Sequence, residues 1–196
     1  YPPYIIAELS GNHNGDIERA KTFIKIAHET GADAVKLQTY TADSLTIDTE
    51  RDEFIIKEGT WAGRNIYELY KEAYTPWEWH EELIHEASLV GLECFSSPFD
   101  FSAVDFLENF NVPAYKIASF ENNHIPLIRK VAATGKPLII STGMASLADL
   151  DRAVNEARSS GCKDLILLKC TSTYPASSKN SNLLTIPHMS KIFNSF

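Results

Sequence analysis

Several short runs of this chain are nearly all apolar: Tyr4-Ile5-Ile6-Ala7, Ala34-Val35, Pro137-Leu138-Ile139-Ile140 and Leu165-Ile166-Leu167-Leu168. A strand with one wet face alternates apolar and polar residues; a continuous apolar run is buried on both faces, as in a parallel sheet. The pattern predicts strands over about 4–9, 33–38, 92–96, 114–117, 137–141 and 164–170. Helical periodicity fills the gaps at about 17–30, 76–90, 101–110, 124–134, 146–160 and 181–194. Repeated strand–helix units leave two architectures, an open doubly wound sheet or a (β/α) barrel.

The ends of the runs favour the barrel. Each closes on polar residues: Glu8, Lys36 with Gln38, Ser96 with Ser97, Lys116 with Ser119, Ser141 with Thr142, and Thr171 with Ser172. In a barrel such edges meet at one mouth, where barrel enzymes keep their chemistry; an open sheet gathers its ligand at one switch point. Asp16 and Ser146 are placed to cap helices that Gly31 and Gly161 close, with Arg19 and Lys21 on the solvent side of the first. Residues 41–75 are too many for one connection, and Trp61-Ala62-Gly63-Arg64 within them is expected to cover the mouth. An eight-stranded barrel takes roughly 250 residues. Residues 1–196 are therefore expected to be the N-terminal part of a (β/α)8 TIM-barrel catalytic domain, with about the first six β/α units.

A net charge of −8 argues against nucleic acid or an anionic membrane as partner, and no apolar run nears the roughly 18 residues of a membrane span. The opening Tyr1-Pro2-Pro3-Tyr4 lacks the features of a secretion signal. Cys94, Cys162 and Cys170 are odd in number and show no C-x-x-C spacing, which points to reduced thiols and the cytoplasm.

Lys36 and Lys116 are the sharpest chemical features. A lysine in a strand buried on both faces needs a counter-charge, and phosphate or carboxylate oxygens, Glu8 or Glu121 would serve. An internal ion pair without a ligand is the plain alternative; a Schiff-base lysine of aldolase type is another. Ser96-Ser97-Pro98, Ser119 and Ser141-Thr142-Gly143 offer hydroxyls and amides for an anion. Glu8 and Glu121 could handle protons or hold a sugar hydroxyl. Asn12-His13-Asn14-Gly15-Asp16 reads as turn chemistry, although His13 could face the pocket. The histidines share no ligand spacing, so no metal site is assigned within these residues, and no P-loop or G-x-G-x-x-G is present.

Taken together, Ile6-Ala7-Glu8-Leu9-Ser10-Gly11-Asn12-His13, Gly31 to Thr39, Ser96-Ser97-Pro98-Phe99, Ala114 to Ser119, Ser141-Thr142-Gly143-Met144 and Cys170-Thr171-Ser172-Thr173-Tyr174-Pro175 resemble the sialic-acid synthase family. The likeness runs in order from residue 5 to about 190. Phe54-Ile55-Ile56-Lys57, Trp61, Tyr67-Glu68-Leu69-Tyr70 and Thr75-Pro76 are similar to its pseudaminic acid branch.

The resemblance implies condensation of phosphoenolpyruvate with an acetamido-sugar aldehyde, a 6-deoxy-2,4-diacetamido hexose for this branch, with release of phosphate. It implies that Lys36, Ser97, Lys116, Ser119, Ser141 and Ser172 hold phosphoenolpyruvate. Glu8, Gln38 and Tyr174 would meet the sugar, and Glu121, Lys116 and Glu8 would act in the chemistry. Ser172 stands where the N-acetylneuraminate branch has asparagine. A divalent metal, manganese, is implied with histidine ligands beyond residue 196, together with a C-terminal antifreeze-like domain and a homodimer; residues 1–196 by themselves are then expected to be inactive. N-acetylneuraminate or legionaminic acid synthesis, a Schiff-base aldolase and a non-catalytic sugar-binding barrel are the alternatives.

Overall fold

The computed structural model describes residues 2–173 and 175–195. In chain order the elements are β1 (Ile6–Glu8), α1 (Ile17–Glu29), β2 (Ala34–Thr39), α2 (Ala42–Leu45), α3 (Ile66–Ala73), α4 (His80–Val90), β3 (Glu93–Pro98), α5 (Phe101–Glu108), β4 (Tyr115–Ile117), α6 (Ile125–Ala132), β5 (Leu138–Ser141), α7 (Leu147–Ser159), β6 (Leu165–Leu168) and α8 (Thr185–Phe193). Every pairing is parallel, and the strands neighbour one another in strict sequence order from β1 to β6. A doubly wound sheet reverses its order at a switch point; this one does not. Six strands curl into a half-barrel with helices outside, a partial TIM barrel.

The predicted caps form. Asp16 accepts from the amides of Glu18 (2.9 Å) and Arg19 (3.4 Å), and Ser146 with Asp149 makes a capping box on α7. Lys21, expected to face solvent, instead bridges α1 to α4 through ion pairs with Glu18 (2.7 Å) and with Glu82. The predicted helix 76–90 is split: Pro76 starts a 3-10 turn over Trp77–Trp79, and α4 begins at His80. The last helix starts later than 181 because Asn182 is left-handed, with φ +45°, which a right-handed helix cannot cross.

Residues 41–75 also fold differently from expectation. Ile55 to Asn65 closes a small antiparallel turn through Gly63 N–H to Ile56 O (2.7 Å) and Ile56 N–H to Arg64 O (2.9 Å). Trp61 on this turn is largely exposed. The piece that packs on the strand ends is α3. A Cβ on Gly11, after β1, would lie 2.6 Å from the Ala73 carbonyl, and the Tyr70 ring meets Tyr40 edge-on at 5.8 Å. Tyr40 in turn meets Phe99 at 5.5 Å, and the Trp77 indole donates to its carbonyl.

The core lies between sheet and helices. Tyr115, Ile117, Leu138, Ile140, Leu165 and Leu167 pack with Leu127, Ile128 and Val131 of α6 and Leu150, Val154 and Ala157 of α7. Val35, Leu37 and Cys94 pack with Ile24, Leu83 and Ala87. Cys94, Cys162 and Cys170 are all free thiols. Among the described residues no helix is long and apolar enough to cross a membrane.

Candidate active site

Strand register decides what faces inward. Glu8 pairs with Lys36 and Gln38 with Ser97; Ser96 pairs with Tyr115, so Ser97 and Lys116 share a level, and Lys116 pairs with Ile139. Side chains alternate faces along each strand. Glu8, Lys36, Gln38, Ser97, Lys116 and Ser141 therefore lie on one face of five strands, opposite the face that packs on the helices. On the same face, one step nearer the N-terminal ends of β1, β2, β3 and β5, are Ile6, Ala34, Phe95 and Ile139, which with Ile166 of β6 make an apolar floor. The polar level sits at the C-terminal edge, as expected for a barrel mouth.

Lys36 is 4% exposed. Its Nζ lies 2.5 Å from Glu8 Oε2 and 3.3 Å from Ser97 Oγ; burial lowers its pKa and Glu8 opposes the shift. Lys116 is less provided for. Burial first, then the charge of Lys36, push its ammonium down to about 8, against the pull of Glu8, Cys170 and Glu121. Among the described residues it has neither a hydrogen-bond nor an ion-pair partner.

The chain after β4 winds into a 3-10 turn, Ser119–Glu121, which carries two more of the expected residues. Burial raises the Glu121 pKa, with Lys116 opposing. Its Oε2 is buried without a hydrogen-bond partner among the described residues. Ser172 Oγ, beyond β6, is likewise buried and without a hydrogen-bond partner among the described residues, and both Ser119 Oγ and Ser172 Oγ close on Gly143 after β5. The ends of β1 to β6 thus supply one site. Gln38 reaches it by register; Tyr174 lies outside the described residues.

Three contributors, Asn122, Thr39 and His80, were not expected, and Ser96, expected to offer its hydroxyl to an anion, is instead turned to the outer face by strand alternation. Asn122, buried beside Glu121, donates its amide to the carbonyls of Gly143 (3.0 Å) and Ser141 (3.3 Å), tying the β4 and β5 loops together. Behind the mouth, Thr39, Ser96 and His80 form a closed chain: Thr39 Oγ1 is 2.7 Å from Ser96 Oγ and 2.8 Å from His80 Nε2. His80 Nδ1 faces the Pro76 carbonyl at 3.3 Å. A carbonyl only accepts, so Nδ1 bears the proton, Nε2 accepts from Thr39, and Thr39 accepts from Ser96. Burial pushes the His80 pKa down to about 4, which keeps the ring neutral. Of the unexpected three, Thr39 ends the β2 run, Asn122 is adjacent to Glu121, and His80 carried no signal in the sequence. His13, which could have faced the pocket, is buried instead in a turn, its Nδ1 accepting from Gly15 N–H (3.1 Å) and its ring edge-on to Trp79.

No group of three or more His, Cys, Asp or Glu among the described residues could hold a metal ion, so these residues do not by themselves fit the manganese centre that the resemblance implies.

The family model described as the NeuB family matches residues 23–196. The chain belongs to the NeuB family. A Campylobacter jejuni pseudaminic acid synthase is 47% identical over 191 residues, covering 97% of this chain and 56% of that protein. A Helicobacter pylori pseudaminic acid synthase is 46% identical over 192 residues, with 98% and 56% covered. The crystal structure of N-acetylneuraminic acid synthetase from Leptospira borgpetersenii, in complex with citrate, superposes with a TM-score of 0.85 at 28% identity, covering 98% of this chain and 62% of that one. The chain thus spans little more than half the length of the curated NeuB relatives it matches.

Proposed function

We propose that the protein to which these residues belong is a sialic-acid-type synthase, a transferase that condenses phosphoenolpyruvate with an acetamido-sugar aldehyde and releases phosphate. The acceptor is a 6-deoxy-2,4-diacetamido hexose, giving pseudaminic acid, a reading supported by 46–47% identity to pseudaminic acid synthases. The observation that carries the proposal is the pair Lys36 and Lys116 on one inward face, among serine hydroxyls, with Lys116 in no ion pair among the described residues. Two ammonium groups and several donors in a partly dehydrated mouth suit a compact molecule bearing a phosphate and a carboxylate.

In this reading Lys36 and Lys116, with Ser97, Ser119, Ser141 and Ser172, bind the two anionic groups. Glu8, Gln38 and Tyr174 meet the sugar. The enol carbon of phosphoenolpyruvate forms a bond to the aldehyde carbon, whose oxygen takes up a proton. Positive charge left at C2 is quenched by water, which loses a proton; the bond between C2 and the bridging phosphate oxygen then breaks as the new C2 hydroxyl gives its proton to the departing phosphate, releasing inorganic phosphate and leaving a nine-carbon 2-keto acid. Glu121, with an unpartnered oxygen and a raised pKa, is the group that moves protons at the attacked carbon. A divalent ion, manganese, would polarise the aldehyde from ligands outside residues 1–196, and no step assigned here depends on it. We place the enzyme in the cytoplasm, as a homodimer, with residues 1–196 inactive by themselves.

The test is full-length protein with phosphoenolpyruvate, manganese and a panel of acetamido sugars, read by phosphate release and product mass. A nine-carbon acid from the 6-deoxy-diacetamido sugar is expected; no phosphate release with any acceptor overturns the proposal. The lowered pKa of Lys116 also suits an imine-forming aldolase. Borohydride trapping of a pyruvate adduct on Lys36 or Lys116 would establish that reading instead.

A further inference from the structure

The turn after β5 carries its glycine in an unexpected place. Met144 has φ +64°, a left-handed conformation that costs a bulky residue energy and that glycine adopts freely. Gly143, one residue earlier, lies outside the left-handed region. Its backbone would accept any side chain, so conformation does not call for glycine there.

Space does. A Cβ at Gly143 would sit 2.0 Å from Ser172 Oγ, 2.7 Å from Ser119 Oγ and 3.1 Å from Ser119 Cβ. The bare Cα lets hydroxyls from the ends of β4 and β6 converge over it. Asn122 holds the position, its amide gripping the Gly143 and Ser141 carbonyls from the same turn that carries Ser119. Ser172 Oγ, at the centre, is buried and has no hydrogen-bond partner among the described residues. A buried hydroxyl without a partner is costly unless something else satisfies it.

We propose that Gly143 is a positioning residue: by leaving out a side chain, it reserves the space in which the Ser119 and Ser172 hydroxyls together grip one oxyanion group of the substrate, with Asn122 holding it in register. This rests on the phosphoenolpyruvate reading and deepens it. The oxyanion can be a phosphate or a carboxylate, since both accept from paired hydroxyls. A methyl group at position 143 is relieved by rotating the two hydroxyls about their Cα–Cβ bonds, with a small shift of Ser119 Cβ, which empties the cradle while leaving the strands in place.

The experiment is calorimetric titration of the full-length protein with inorganic phosphate, pyruvate and phosphoenolpyruvate, for wild type, Gly143→Ala, Ser172→Ala and the double variant. Gly143→Ala should weaken the probe that uses the cradle, on the order of tenfold to a hundredfold, the loss of a hydrogen bond to a charged group. Phosphate affected and pyruvate spared assigns the phosphate; the converse assigns the carboxylate. In turnover, KM for phosphoenolpyruvate should rise and KM for the sugar stay level. In the Ser172→Ala background, where the worst clash is gone, Gly143→Ala should cost much less. If Gly143→Ala does not fold, the double variant should. Wild-type affinity for every probe in Gly143→Ala, an equal loss in both backgrounds, no binding of any probe by the wild type, or a double variant that also fails to fold each overturns the inference. Wild-type binding of phosphate without turnover of phosphoenolpyruvate refutes the synthase reading and leaves the cradle standing.

Discussion

The two faces of the same six strands follow opposite rules. On the outer face, Tyr115, Ile117, Leu138 and Ile140 are completely buried against helices, and the polar groups that intrude form the closed chain Ser96–Thr39–His80–Pro76. On the inner face, one residue away along β4, the half-buried Lys116 has no ion-pair partner among the described residues, and in the loops beyond β4 and β6 Glu121 Oε2 and Ser172 Oγ are buried with no hydrogen-bond partner among them. The outer face is optimised for folding; the inner face holds uncompensated groups that the fold must tolerate.

Substitutions should separate the two faces. The largest effect belongs to the outer face: Ile128→Ala, truncating a fully buried side chain of α6, should lower stability by about 2–5 kcal/mol in denaturant melts, with phosphate affinity retained by what remains folded. Acid should attack the same face at His80. Its folded pKa of about 4 lies below the ordinary 6.5, so the unfolded chain binds the extra proton between those values. Stability should fall as pH drops from 6.5 to 4, by roughly 3 kcal/mol, and His80→Gln should flatten that part of the profile. A profile shared by both proteins would break the assignment.

Inner-face changes should have the opposite sign. Lys116→Met removes a half-buried ammonium with no ion-pair partner among the described residues and should raise stability by about 1–3 kcal/mol at pH 7 while abolishing phosphate release; a destabilised variant would mean that Lys116 is paired in solution. The pKa of about 8 sharpens this. Above it Lys116 loses its proton in the folded protein, whereas the unfolded chain holds it to about 10.5. From pH 8 to 10 its penalty on stability should fade as phosphate affinity weakens, both as differences from Lys116→Met. The smallest effect is at the mouth's rim, where Met144→Gly should gain roughly 0.5–1 kcal/mol by relieving a left-handed methionine; a loss would show that its exposed side chain makes a contact worth more than the strain.

Much of this was legible in the residues. Runs such as Leu165–Leu168 announced parallel strands because alternation was missing, and the polar residues ending each run marked the mouth. The path of residues 41–75 was not legible: Trp61 is conspicuous but lies on an exposed turn, whereas the helix that meets the strand ends depends on Gly11 and Ala73, 62 positions apart. Lys21 misled in the same way, since its partner Glu82 belongs to another helix.

The order of apolar and polar residues was enough to determine which segments are strands, which ends are polar and which residue types gather at those ends, because burial on both faces and side-chain alternation are local constraints. Only the tertiary structure decided that Glu8 is the partner of Lys36, that Lys116 has no ion-pair partner among the described residues, and that Asn122 and Gly143 shape the space between Ser119 and Ser172. Those relations come from register and curl across four or five strands, where a shift of a single residue would turn every one of these side chains to the other face.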